Sequence, residues 1–257
     1  MNKHRFVWHD LNTRDPEAAK KFYGDVFSWT FSASDGGPYV HIAAGEHMIG
    51  GIRKMDANEP GPTSWLGYIA VDDVAATVAK IGASKGKVFV PTTAMPNVGT
   101  FAVTADPTGA VFAPWKSARP GEDAERSGPP ARNTFCWDEL VTTDPAAAAA
   151  FYGEVLGWKA RAVDMGPAGT YTLLDRPGVT NAKGEQVSAA GVMKAPPGVP
   201  HSFWIAYVHV DDADASCERA RKLGATVTIP PTDIPNIGRF ACWLDPQQAG
   251  IAILQPS

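Results

Sequence analysis

The sequence has few cysteines and no paired cysteine motif. Cys136, Cys217 and Cys242 are an odd number at irregular spacing, without a Cys-x-x-Cys pair. This pattern argues against a disulfide framework and predicts thiols in a reducing compartment. The basic N-terminus is followed by no apolar segment of the kind found in secretory signals. We therefore expect a cytoplasmic protein.

Long hydrophobic runs and clusters of basic residues are also missing. No segment of the sequence approaches the length needed to cross a bilayer. The formal net charge is -4 and the pI is about 5.9, and Lys and Arg are not clustered as phosphate contacts would require. With 257 residues, 44% hydrophobic and 19% charged, the composition is typical of a globular protein. Neither a membrane nor a nucleic acid is expected as a partner.

The two halves of the sequence repeat the same motifs in the same order. Residues 6–16, 22–24, 71–73 and 95–102 return as residues 135–145, 151–153, 210–212 and 234–241, and Asp106-Pro107 returns as Asp245-Pro246. The offset between the copies grows along the chain, which predicts a loop insertion around residues 175–186. A segment rich in Gly, Pro and charge predicts a linker at 117–132 between domains 1–116 and 133–257.

Each copy also divides into two similar units. Alternating residues 6–11 predict a strand, and Asp15 followed by Pro16 predicts a helix start. Apolar residues at helical spacing follow, and the same pattern of strands and helices continues to the end of the copy. The predicted order is βαβββ-βαβββ in each copy, which places the chain in the α+β class.

This order of motifs resembles the vicinal oxygen chelate superfamily, which includes glyoxalase I, extradiol dioxygenases, fosfomycin-resistance proteins and bleomycin-binding proteins. The motifs are Asp15 with Phe22-Tyr23, residues 71–73 and residues 106–109, and in the second copy Asp144 with Phe151-Tyr152, residues 210–212 and Asp245-Pro246. Gln248 departs from the glycine of the family pattern. The resemblance covers both copies without the linker. It implies tandem glyoxalase-like domains, each an open, incomplete barrel of two βαβββ units with ligand on its concave side.

Enzymes of this superfamily hold a divalent metal in that concavity. The resemblance places its ligand positions at Trp8, Leu66 and Ala113 in the first copy and at Trp137, Ile205 and Ala252 in the second. None of these side chains is a metal ligand, since divalent ions need imidazole, carboxylate or thiolate donors. We therefore predict no cofactor and no metal at the usual site. A non-standard site using Asp10 with His41 or His47 is the alternative.

Strand alternation predicts which other side chains line the two cavities. The predicted ligand-binding residues are Trp8, Asp10, Tyr68, Trp115, Trp137, Glu139, Tyr207 and His209, with Phe6, Phe135 and Leu254 on the same walls. Such an aromatic cup with one carboxylate in each copy suits a flat apolar ligand or a cationic one. The competing interpretation is structural: the tryptophans fill core space, and Asp10 and Glu139 are solvated or paired with arginine.

Two functions remain open from the sequence. The first is a small-molecule binding protein like the bleomycin-resistance branch, with an aromatic or cationic ligand. The second is a lyase, isomerase or dioxygenase-like enzyme that acts without metal or with a metal off the usual position, with Asp10 or Glu139 as base. No catalytic residue can be assigned. Tandem copies are compatible with a monomer containing an internal pseudo-dimer or with a homodimer.

Overall fold

The computed structural model describes residues 4–34, 37–119, 121, 128–165, 169–181 and 183–257. The elements of the first copy are β1 (Phe6–Thr13), α1 (Pro16–Phe27), β2 (Thr30–Ala33), β3 (Val40–Ala44), β4 (His47–Lys54), β5 (Ser64–Ala70), α2 (Val74–Ala83), β6 (Lys87–Met95), β7 (Gly99–Ala105) and β8 (Val111–Ser117). Those of the second are β9 (Phe135–Thr142), α3 (Pro145–Leu156), β10 (Lys159–Asp164), β11 (Thr170–Thr180), β12 (Gln186–Lys194), β13 (Phe203–His209), α4 (Ala213–Lys222), β14 (Thr226–Ile234), β15 (Gly238–Leu244) and β16 (Gly250–Pro256).

Each copy forms its own eight-stranded sheet. The strand orders are β2-β3-β4-β1-β5-β8-β7-β6 and β10-β11-β12-β9-β13-β16-β15-β14. Both sheets are open, and the predicted α+β class and tandem βαβββ organisation are confirmed. The extra residues of the second copy lengthen strand β11 to Thr180 instead of forming only a loop. The linker and domain boundaries stay a prediction, because residues 120 and 122–127 lie outside the described residues.

The chain also divides into two compact units, each of which takes residues from both copies. The first unit contains the described residues of Met1–Val7, Gly67–Ser127 and Asp138–Trp204. The second contains those of Trp8–Leu66, Gly128–Trp137 and Ile205–Ser257. No helix in the described part of the chain is long and apolar enough to span a membrane. None of the three cysteines forms a disulfide.

The helices begin where their caps predict. The Asp15 carboxylate accepts a hydrogen bond from the Ala18 N–H at 3.0 Å, and Pro16 follows in the first turn. Asp144 and Pro145 open α3 in the same way. The predicted apolar stripes are buried: Ala19, Phe22, Tyr23 and Val26 in α1, and Ala148, Phe151, Tyr152 and Val155 in α3. Phe27 and Leu156, at the ends of the same helices, are buried with them.

These stripes decide which face of each strand is buried against a helix. In the second unit, Leu11 of β1 and Ile42 of β3 belong to the same hydrophobic cluster as the α1 stripe. Neighbouring residues along a strand point to opposite faces. Asp10 and His41 therefore lie on the other face of the sheet, which we call the helix-free face.

The first unit repeats this arrangement around α3. Leu140 of β9 and Leu174 of β11 belong to the cluster that contains the α3 stripe. By the same alternation, Glu139 and Leu173 lie on the helix-free face. The two carboxylates predicted to face a ligand are thus both on the side of the sheet away from the helices.

The Phe-Tyr and Asp-Pro motifs meet in a buried network. In the second unit, Trp65 Nε1 donates to the Tyr23 hydroxyl at 3.0 Å, and Tyr23 donates to Asp245 Oδ2 at 2.9 Å. Asp245 Oδ1 also accepts the backbone N–H groups of Gln247 and Ala249. Burial and then the Asp245 charge raise the pKa of Tyr23 well above its usual value, so the phenol remains a donor. The corresponding residues of the first unit are Trp204, Tyr152 and Asp106. These motifs therefore stabilise the fold.

Candidate functional site

A hydrogen-bonded network lies on the helix-free face of the first copy, within the second unit. Tyr39 donates its hydroxyl hydrogen to Asp10 Oδ1 at 2.5 Å. Trp8 Nε1 points at the same group, 2.9 Å from Asp10 Oδ1 and 2.9 Å from the Tyr39 hydroxyl oxygen. Asp10 is 5% exposed, so burial and two donors hold its carboxylate in one position. We call Trp8, Asp10 and Tyr39 the Trp8 network.

A glycine makes the Tyr39–Asp10 contact possible. Asp10 is paired with Gly51 in the parallel β1–β4 ladder, and Gly51 is paired with His41 in the antiparallel β3–β4 ladder. A Cβ atom on Gly51 would lie 1.9 Å from the Tyr39 hydroxyl oxygen. Only a residue without a side chain leaves room for the phenol to cross β4 and reach Asp10.

The second copy contains the same contact, within the first unit. Tyr171 donates to Glu139 Oε2 at 2.7 Å, and Glu139 is paired with Gly191. A Cβ atom on Gly191 would lie 1.7 Å from the Tyr171 hydroxyl oxygen. Phenol, carboxylate and glycine are therefore repeated together on both sheets.

His41 stands beside the Trp8 network. Its ring is nearly perpendicular to those of Trp8 and Tyr39, with interplanar angles of 80° and 82° and centroid separations of 6.3 and 5.2 Å. The Nδ1 atom is buried and has no hydrogen-bond partner, whereas the residue as a whole is only half-buried. The equivalent position in the second copy is Leu173, which is paired with Gly191.

Other positions on the helix-free face differ between the copies. Asn12 is paired with Arg53 in the first copy. Arg53 donates to Asn12 Oδ1 at 2.6 Å and to both carboxylate oxygens of Glu59 at 2.6 and 2.9 Å. The Arg53 hydrogen bonds lower the pKa of Glu59 despite the opposing effect of burial. In the second copy, Val141 is paired with Met193 at this place in the ladder.

The second copy has its own ion pair further along the face. Arg161 donates to Asp175 at 2.6 and 3.0 Å, and Ser188 donates to the same carboxylate at 2.6 Å. Burial raises the pKa of Asp175, but the hydrogen bonds from Arg161 and Ser188 outweigh it and the net shift is downward. The guanidinium group is thus already engaged by a carboxylate.

The remaining predicted site residues lie in separate places. In the first unit, Tyr68 packs against Trp115 at a centroid distance of 6.1 Å. In the second unit, Tyr207 packs against Phe240 at 6.4 Å, and His209 Nδ1 lies 2.9 Å from the backbone oxygen of Pro130. Trp137 is half-buried. Their role in ligand binding stays a prediction.

Phe6 and Phe135 do not line a cavity wall as expected. Phe6 packs against Trp204 at 5.0 Å and against Trp158 at 6.4 Å in the first unit. Phe135 packs against Trp65 at 5.5 Å and Trp29 at 5.6 Å in the second. Each phenylalanine lies at the start of its strand. There, packing against a hydrophobic cluster removes more of its apolar surface from water than the cavity-wall position predicted by alternation would. His9 contacts Phe135 at 4.1 Å and so faces the helix side, as predicted.

Comparison with known proteins identifies the family. The family model described as the Glyoxalase/Bleomycin resistance protein/Dioxygenase superfamily matches residues 5–113 and 135–253. The chain belongs to this superfamily. The two matched regions correspond to the two sequence copies, so the resemblance found in the motifs is confirmed.

Two relatives match nearly the whole chain. The candidate glyoxylase CFP32 of Mycobacterium tuberculosis is 35% identical over 259 residues, which cover 97% of this chain and 94% of that protein. The anthracycline biosynthesis protein DnrV of Streptomyces peucetius is 31% identical over 266 residues, which cover 97% and 92%.

Two solved structures have the same fold. The Mn(II)-bound glyoxalase from Novosphingobium aromaticivorans matches with a TM-score of 0.63 at 19% identity, covering 100% of this chain and 83% of that one. The 2,3-dioxygenase LapB from Pseudomonas sp. KL28 matches with a TM-score of 0.64 at 14% identity, covering 97% and 91%. At these identities the likeness concerns the fold alone.

The residues that the resemblance places at the superfamily's usual metal positions do not fit a divalent ion. Leu66, Ala113, Ile205 and Ala252 carry no donor atom, and an indole N–H donates hydrogen bonds instead of binding metal. Within the described ranges, no group of three or more His, Cys, Asp or Glu side chains is placed to hold a metal. For the off-position alternative, His47 is exposed and Asp10 Oδ1 is the acceptor of two hydrogen bonds.

Tyr39 and Tyr171 are the site residues that the sequence did not reveal. Each lies some thirty residues from its carboxylate, with sequence separations of 29 and 32, and Tyr39 precedes the first residue of β3. A signal was present: both copies have a tyrosine near the start of a β-like segment and, in the next strand, a glycine followed by a β-branched residue. Only strand pairing shows that these residues converge.

Proposed function

We propose that this chain is a small-molecule binding protein that holds an aromatic or cationic ligand on the helix-free face of one or both sheets, without the usual metal of the superfamily. The observation that carries this proposal is the repeated carboxylate–tyrosine pair, which in the first copy is joined by an indole. The proposed contacts include the predicted residues Trp8, Asp10, Tyr68, Trp115, Trp137, Glu139, Tyr207 and His209, together with Tyr39 and Tyr171.

The chemistry of these groups suits such a ligand. Asp10 and Glu139 are 5% and 7% exposed, and a cation paired with a partly buried carboxylate is less screened than one at the surface. An indole face adds about 0.5–2 kcal/mol for a cation placed over it. A flat apolar compound would instead gain from contact with the same ring.

A metal-free enzyme is the second candidate. The tyrosine–carboxylate pair is a possible proton donor and acceptor, and its presence in both copies favours this alternative. The name of the mycobacterial relative, a candidate glyoxylase, points in the same direction. Asp10 Oδ1 would have to give up a hydrogen bond from Tyr39 or Trp8 before it accepted a proton there. Turnover of a bound compound, measured by mass spectrometry, separates an enzyme from a binding protein.

Metal analysis of the purified protein tests the first part of the proposal. We expect substoichiometric Zn, Ni, Fe and Mn, and no change in thermal stability after treatment with a chelator. Stoichiometric metal whose removal lowers thermal stability would contradict the metal-free interpretation.

Tryptophan fluorescence tests the ligand class and the anchors. We expect saturable quenching by naphthylmethylamine and by naphthol, and weak or no binding of the anionic naphthalenesulfonate. Asp10→Asn should weaken the binding of naphthylmethylamine more than the binding of naphthol, because only the amine carries a charge. Glu139→Gln is the matched variant in the second copy. If neither variant alters the amine affinity, the carboxylates are not ligand anchors.

A further inference from the structure

We infer that the two copies have diverged in ligand class, and that the first copy binds planar aromatic compounds bearing a hydroxyl or carbonyl oxygen, with His41 as the hydrogen-bonding residue. This inference rests on the proposed function and narrows it to one copy and one type of compound. It follows from a position-by-position comparison of the two helix-free faces.

The common part of the two faces is the carboxylate, the glycine and the tyrosine. Residues paired across neighbouring strands form a row, and in the first copy this row continues from Gly51 to His41 and then to Ser32. In the second copy it continues from Gly191 to Leu173 and Arg161. Beside the shared carboxylate–tyrosine pair, the first copy therefore has a histidine where the second has an aliphatic residue.

A second pair of positions, two residues further along the strands, also differs between a polar first copy and an apolar second copy. Asn12 and Arg53 in the first copy correspond to Val141 and Met193 in the second, since each pair lies two residues beyond the carboxylate–glycine pair. The first copy thus offers polar groups on both sides of its carboxylate. The second offers apolar ones.

Of the polar groups in the first copy, His41 is the one suited to a ligand. Arg53 is held by Asn12 and by both oxygens of Glu59. His41 Nδ1, by contrast, is buried without a partner. Either neutral tautomer leaves Nδ1 unpaired, and we assign the proton to Nε2 because buried N–H groups without an acceptor are rarer in proteins than buried acceptors without a donor. The half-buried ring offers Nε2–H at its other edge.

A ligand for this place needs two features. It must have a flat apolar surface to lie against the Trp8 indole, whose ring centroid is 6.3 Å from that of His41. It must also place an oxygen atom where Nε2–H can donate to it. A hydroxylated or carbonyl-bearing aromatic ring meets both conditions, whereas the unsubstituted ring meets only the first.

The second copy cannot supply this hydrogen bond from the equivalent position. Leu173 has no polar atom, and Arg161, the next residue in the row, donates two hydrogen bonds to Asp175. An oxygenated ring would leave its oxygen unpaired beside Leu173. Burying such an oxygen without a partner opposes binding.

The test compares naphthol with naphthalene, which differ by one hydroxyl group, on reciprocal variants. We expect His41→Leu to lower the affinity for naphthol about tenfold, which is the effect of losing one hydrogen bond of ordinary strength. The affinity for naphthalene should not change. Calorimetry should give one strong naphthol site per chain. Leu173→His, in the second copy, should leave that site intact.

Stability measurements separate loss of binding from loss of folding. His41→Leu removes a buried nitrogen that has no partner, so its melting temperature should equal or exceed that of the parent protein. Naphthol binding that is unchanged by His41→Leu, or abolished by Leu173→His, overturns the inference while the proposed function stands. No saturable binding of any naphthyl compound by the parent protein overturns the proposed function itself.

Discussion

Replacement of Gly51 by alanine should displace Tyr39 from Asp10. The added Cβ would lie 1.9 Å from the Tyr39 hydroxyl oxygen, and the three nearest atoms all belong to that side chain. Gly51 does not have a positive φ angle, so alanine fits the backbone. The strain is therefore relieved by rotation of the phenol, which breaks its hydrogen bonds to Asp10 and from Trp8.

The magnitude follows from these losses. A hydrogen bond to a charged group contributes about 1.5–3 kcal/mol, and water partly replaces it here because Tyr39 is half-buried. Alanine returns about 0.4–1 kcal/mol by restricting the unfolded chain. We expect a net destabilisation of about 1–2 kcal/mol, which lowers the melting temperature of a chain of this size by about 2–8 °C.

A double-mutant cycle with Tyr39→Ala tests the reasoning. With the phenol removed, Gly51→Ala should become neutral or stabilising by up to about 1 kcal/mol. Urea unfolding followed by tryptophan fluorescence measures each variant. Gly191→Ala with Tyr171→Ala is the matched cycle in the second copy. Gly50→Ala is the control, since its Cβ would meet the backbone oxygen of His9 at 2.2 Å and Tyr39→Ala cannot relieve that contact. If Gly51→Ala costs the same with and without Tyr39, the explanation is refuted.

Two further predictions concern stability. Tyr23→Phe should cost about 2–4 kcal/mol in the free energy of unfolding, because Trp65 loses a buried acceptor and Asp245 a donor; a loss below about 0.5 kcal/mol in urea unfolding would contradict this. The pKa of Asp175 is lowered in the folded protein because hydrogen bonds, above all from Arg161, outweigh burial, so its contribution to stability is present above the unfolded pKa and disappears as the pH falls through the folded pKa. Asp175→Asn should therefore flatten the acid side of the curve of stability against pH, and an unaltered curve would rule out this linkage.

The sequence predicted structure best where a feature depends on residues that are close together along the chain. The Asp15 cap and the α1 stripe depend on residues within one helix, and both were read correctly. The Asp-Pro motifs were also found, but their partners were not. Tyr23 and Asp245 are 222 residues apart, and no spacing rule connects residues at that distance.

Strand alternation predicted on which face of the sheet a residue lies, but not which residues it contacts there. Asp10 and Glu139 lie on the helix-free face as expected, yet alternation along β1 and β9 did not predict their tyrosine partners, which lie near the starts of β3 and β11. Alternation failed for Phe6 and Phe135, where the attraction of a large apolar ring to the core decided its position.

The sequence by itself determined the duplication, the α+β class and the superfamily, because each is a property of residue types at fixed spacing. It also predicts that the usual metal positions carry no donor. Only the tertiary structure decided that a tyrosine crosses a glycine to reach each carboxylate, and that His41 and Leu173 occupy equivalent places. These relations arise from the pairing of strands that are distant along the chain. Pairing depends on the whole sheet, so it cannot be read from the residues one segment at a time.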